Sequence, residues 1–153
     1  MIILGVASLF IISGCSQVKV EKQESAFIVM KTPKMKYADM GFVSESPSRV
    51  KVEIYASGQP LVAWEINGMN ICMSTLKCMA KADFNEQFLV SSYPDTLLEN
   101  IFRAKPIFNK KGYQKVEGGF TQRISEGISY RVISGKRTFR DTINKILIKV
   151  NKQ

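Results

Sequence analysis

Few side chains in this 153-residue chain are of types that do chemistry: the cysteines Cys15, Cys72 and Cys78, 13 carboxylates and no histidine. Without imidazole there is no His-based acid or base, no Ser-His-Asp triad and no His-ligated zinc site. Three thiols cannot complete a four-thiolate metal cluster. Asp95 with Glu99, and Asp83 with Glu86, carry the spacing of solvated helix faces rather than of a glycosidase pair. The chain has no Ser nucleophile elbow, no Gly-rich phosphate loop and no metal-ligand cluster. The expectation is a protein that is not an enzyme, with no cofactor and no metal. Cys72 and Cys78 form a C-x5-C pair. In an oxidising compartment two cysteines this close are expected to form a structural disulfide, removing roughly 2–2.5 kcal/mol of unfolded-state entropy. A redox-active pair and two free thiols are the alternatives. The spacing is not C-x-x-C, and no thioredoxin-like pattern surrounds it.

Cys15 has a different context. Met1 to Ile12 is an apolar run with no charged side chain, ending in Ile12-Ser13-Gly14-Cys15. It is shorter than the roughly 20 residues a membrane helix needs. The run resembles the apolar core of a secretory signal peptide, and its end resembles the bacterial lipobox. The other reading is a buried apolar strand that ends in Cys. The resemblance implies a signal peptide over 1–14, diacylglycerol and an N-acyl chain on Cys15, and a flexible tether over 15–25. Ser16 stands where Asp would retain a lipoprotein in the inner membrane. This implies a lipid anchor in the outer membrane facing the periplasm, the inner membrane being the lesser reading.

The elements that must carry these residues read as one globular domain, 26–153. Ala26–Met30 suits a strand buried on both faces. Arg49–Tyr55 alternates, with Val50, Val52 and Ile54 on one face and Lys51 and Glu53 on the other. Leu61–Ile66 follows the turn Ser57-Gly58-Gln59-Pro60, and Asn67-Gly68 is a hairpin signal leading to Asn70–Met73. The period then changes. Phe84 and Phe88 are four apart within 80–90, and Pro94–Arg103 carries the apolar stripe Leu97, Leu98, Ile101 and Phe102. Strands are predicted again at Gly112–Val116, Phe120–Ile124, Ser129–Ser134, Thr138–Asp141 and Lys145–Val150. Strands, helices, strands give an α+β domain with an antiparallel sheet. Strands apolar on both faces imply either helices over one face or an enclosed apolar cavity.

Val50–Tyr55, the turn with Leu61 behind it, Val62–Ile66, the hairpin, Phe84–Leu89 and the Pro-led helix closing in Ala104-Lys105-Pro106 resemble the central part of the LolA/LolB family of lipoprotein carriers and receptors. The resemblance lies in order, spacing and apolar type over 49–150. It implies a curved antiparallel sheet, an incomplete barrel with one or two helices packed on its concave face, around an acyl-chain cavity. It also implies a membrane-insertion loop whose nearest match is Leu61 beside Pro60; the plainer reading is that Leu61 packs at a strand start. The expected cavity lining is Trp64, Ile66, Phe102, Phe120 and Tyr130.

Two functions follow. One is a non-catalytic, membrane-anchored receptor or chaperone that binds acyl chains in outer-membrane lipoprotein localisation. Its partners would be membrane lipid, acylated lipoproteins or a periplasmic carrier. The alternative is a structural or accessory lipoprotein in envelope assembly, serving lipopolysaccharide or outer-membrane-protein machinery through protein contacts. The net charge of +9 suits an anionic lipid surface, though Lys on strand faces is commonly plain solvation. A nucleic-acid partner is not expected.

Overall fold

A computed structural model describes residues 21–74 and 76–153. The expected signal segment 1–14 and the acylation site Cys15 lie outside the described residues. The first half contributes β1 (Lys22–Lys31), β2 (Lys36–Glu45), β3 (Arg49–Ala56), β4 (Gln59–Asn67), β5 (Asn70–Met73) and β6 (Met79–Ala80). Two helices follow, α1 (Lys81–Phe88) and α2 (Leu97–Phe102). Then come β7 (Tyr113–Val116), β8 (Gly119–Ser125), β9 (Ile128–Ile133), β10 (Lys136–Asp141) and β11 (Ile146–Lys152). All eleven strands form one antiparallel sheet in the order β6-β5-β4-β3-β2-β1-β11-β10-β9-β8-β7.

Two meanders are thus joined by their first and last strands, with Ile28 opposite Val150 and Met30 opposite Ile148. β6 and β7 end up at opposite edges. The helical segment between them must therefore run from one edge of the sheet to the other. Strand alternation puts one buried row after another on the same face. Ile28 and Met30, Val52 and Ile54, Trp64 and Ile66, Phe139, Ile148 and Val150 are fully buried there. Leu97, Leu98, Ile101 and Phe102 of α2 and Phe84 of α1 join the same core. Phe84 and Phe88 are held one helical turn apart, ring centroids 5.1 Å.

Several expectations are revised. Lys22 to Ser25, expected in the tether, already belong to β1; Lys22 lies opposite Glu45 and Ser25 opposite Phe42. β2 was not expected at all. Its inward positions are Tyr37, Asp39, Gly41 and Val43, too polar to read as a core face. Gly41 is required there, because a Cβ would sit 2.0 Å from the Glu53 carbonyl oxygen of β3. The helix expected from Pro94 begins at Leu97, with Pro94–Thr96 forming a lead-in turn in which Leu97 N–H donates to Pro94 O at 2.9 Å. It ends at Phe102, and the chain leaves it through Ala104, whose φ is 54°, with Lys105 N–H donating back to Asn100 O at 2.8 Å. The hairpin at Asn67-Gly68 is present, but neither residue has positive φ. Instead the Asn67 side chain accepts from the Met69 and Asn70 N–H groups at 3.0 and 2.8 Å. Ser57 and Gly58 do take positive φ, 51° and 77°, at the β3–β4 turn.

Candidate functional site

The covered face of the sheet is the candidate site. Alternation alone turns Trp64 and Ile66 of β4 inward, and both are fully buried. Phe120 of β8 and Tyr130 of β9 also face inward, as does Phe102 of α2. The five expected lining residues form two groups. Phe120 and Tyr130 meet edge-on at 5.7 Å between centroids, and the Tyr130 hydroxyl donates to Ile101 O beside Phe102 at 3.4 Å. Trp64 and Ile66 stand on the other side of the β1–β11 seam, with Tyr37 edge-on to Trp64 at 5.6 Å. The side chains are packed against one another; Trp64, Ile66 and Phe102 are each 0% exposed.

Pro60 and Leu61 lie within β4, just past the tight turn, rather than in an open loop. Leu61 is 47% exposed. It shares the outward face of the first meander with Phe42, which meets Tyr55 edge-on at 5.8 Å. Cys72 and Cys78 are joined by a disulfide that ties the end of β5 to the start of β6. An open groove of about 670 Å³ lies beside it, lined by Ser74, Leu76, Lys77, Cys78, Met79 and Gln87.

Polar groups also face the core, and sequence reasoning missed them. Gln122 of β8 accepts from Ile107 N–H at 2.8 Å and donates to Ile107 O and Lys111 O at 2.9 Å each. The Tyr93 hydroxyl donates to Asp141 of β10, which also accepts from the Asn144 side chain and backbone. Burial, the hydrogen bond to Asp141 and its charge together push the Tyr93 hydroxyl well above its ordinary pKa. Burial works to raise Asp141, but the donors Tyr93, Asn144 and Ile143 outweigh it and hold the carboxyl low.

A chain of ion pairs crosses the same face. Lys81 and Arg103 both hold Glu99, at 2.8 and 3.0 Å. Arg103 reaches Glu45 at 3.9 Å, and Arg137 reaches Glu45 at 3.7 Å and Glu24 at 3.5 Å. Lys22 and Lys152 close on Glu24 at 2.7 and 2.8 Å. Burial alone would raise the Glu24 carboxyl; hydrogen bonds from Lys152 and Lys22, with the charge of Lys22 and Arg137, overcome it and pull the pKa down to about 2. The signal for this cluster was the strand period itself. Glu24 sits two before Ala26 and Arg137 two before Phe139, so both charges fall on the core face.

Comparison with models of known protein families gives no match to this chain, and neither does comparison with curated protein sequences.

Proposed function

We propose that this protein is an outer-membrane lipoprotein, anchored through Cys15, that binds acyl chains as a LolB-like receptor or chaperone in lipoprotein localisation. Membrane lipid and acylated lipoproteins, or a periplasmic carrier that brings them, are its partners. In this reading the sheet is an incomplete barrel and the two helices cover its concave face. One observation carries the reading: the inward face of a single antiparallel sheet is apolar throughout β3–β5, and the segment over the sheet joins its two opposite edges. Such a cover can lift without breaking a strand ladder. Its helices have 8 and 6 residues and no side-chain N-cap, so they depend on contacts with the sheet and with each other rather than on intrinsic helix stability. Lifting it would open an apolar, water-poor surface without charged groups along β3 and β4, which is what an acyl chain requires.

The test is native mass spectrometry of the protein for co-purified lipid, followed by uptake of a fluorescent acylated peptide. Bound lipid or saturable uptake supports the proposal. Absence of both bound lipid and uptake sinks it. Labelling with radioactive palmitate, lost in Cys15→Ser, tests the anchor separately.

The closed packing around Trp64, Ile66 and Phe102 favours a second reading, an accessory subunit of envelope assembly that acts by protein contact. The exposed Phe42 and Leu61 on the outward face would serve it. A pulldown from solubilised outer membrane separates the readings, because only the second requires a stable protein partner.

A further inference from the structure

The ion-pair chain contains more donors than its carboxylates satisfy. Arg137 is 4% exposed, yet among the described residues its Nε and Nη1 have no hydrogen-bond partner. The Arg103 side chain is 9% exposed, and its Nη2 likewise has none. These three nitrogens carry five N–H groups between them. Each buried donor left unmade costs about 1–3 kcal/mol, more on a charged group. Both guanidiniums converge on Glu45, at 3.9 and 3.7 Å, distances too long for strong charge-assisted bonds. Glu45 therefore closes on neither arginine.

Charge points the same way. Arg103, Arg137, Lys22 and Lys152 are set around Glu24 and Glu45. Glu99, the other carboxylate on Arg103, is matched by Lys81. The cluster thus has an excess of two positive charges. Lys22 and Lys152, with side chains 69% and 42% exposed, leave it open to solvent on one side.

We propose that Arg103 and Arg137 form a receptor for one phosphoryl group, entering past Lys22 and Lys152. A carboxylate brings one charge and two oxygens. A phosphate monoester brings up to two charges and three terminal oxygens, which fits the excess charge and the unmade donors better. This goes beyond the acyl-chain reading and holds whether or not the apolar face takes a lipid tail. The phosphate could be a lipid headgroup or a soluble phosphate, and the test separates them.

The experiment uses the full chain in non-ionic detergent at low salt. Inorganic phosphate is titrated and followed by phosphorus NMR line broadening, with acetate and soluble dihexanoyl phosphatidic acid as competitors. Saturable binding is expected, weakened about tenfold or more in Arg103→Gln and little changed in Lys149→Gln, which removes the same charge from the opposite face. Circular dichroism checks that the variants fold. If Arg103→Gln does not, Arg103→Lys keeps the charge and loses the planar donors, and weakening is still expected. Displacement of phosphate by the short-chain phosphatidic acid supports the site with a lipid headgroup as its source; binding of phosphate that the lipid does not displace supports it with a soluble source. Absence of saturable binding, equal weakening in Arg103→Gln and Lys149→Gln, or displacement by acetate at equal concentration would each overturn the proposal.

Discussion

The two meanders present the core with different chemistry. On β3, β4 and β5 every inward side chain is apolar: Val50, Val52, Ile54, Val62, Trp64, Ile66, Ile71 and Met73. On β8, β9 and β10 the inward rows are interrupted by Gln122, Tyr130, Arg137 and Asp141. Three of these bind the crossing segment directly: Gln122 holds Ile107 and Lys111, Tyr130 meets Ile101, and Asp141 takes Tyr93. The crossing segment is therefore fastened to β8–β10 by side-chain hydrogen bonds and against β3–β5 by packing. Packing tolerates sliding and directional bonds do not.

The largest expected effect is on the packed side. Trp64→Ala should destabilise the protein by roughly 3–5 kcal/mol in urea unfolding, the range for truncating a large buried aromatic side chain. A loss below about 1 kcal/mol would mean that β4 carries little of the core. Next is Glu24, at the seam between the meanders. Its folded pKa is about 2 against an ordinary 4.5, so the unfolded chain takes the proton more readily. The stabilisation is present above pH 4.5 and drains away as pH falls toward 2. At about 1.4 kcal/mol per unit this sets an upper bound of roughly 3 kcal/mol, lowered by solvent screening of the exposed Lys22 and Lys152, and Glu24→Gln should flatten the acid limb of stability against pH.

Gln122→Leu breaks the fastened side. It leaves the Ile107 N–H without its acceptor and should cost about 1–3 kcal/mol. Hydrogen exchange should quicken over Ile101–Lys111 while β3 and β4 stay protected. Uniform acceleration would erase the distinction between the two sides. The smallest effect is expected at Leu61→Ser, within about 0.5 kcal/mol of the parent because the side chain is half exposed. If Leu61 delivers lipid, transfer of an acylated peptide to vesicles should nevertheless slow; unchanged transfer leaves it a plain surface residue.

Legibility followed the same divide. β3, β4 and β11 could be read because their inward rows are uniformly apolar, so the period stands out. β2 could not, because Asp39 and Gly41 occupy inward positions and Met40 and Phe42 outward ones, inverting the usual contrast. β6 has two residues, too few for any period. The stripe of Leu97, Leu98, Ile101 and Phe102 marked α2 correctly, while Pro94 overstated its length. The charged cluster was hidden because its members are far apart in the chain and meet only through strand register. Glu24 in particular looked like tether.

The seam between β1 and β11 has a kinetic consequence. Glu24 and Lys152 are 128 positions apart in the chain, yet bonded at 2.8 Å. Until β11 is in place, β1 presents an unpaired edge, open to pairing with another chain. Contacts of such sequence separation slow folding. During synthesis the sheet would remain unfinished until β11 docks, and the period of greatest risk of misassembly is that interval.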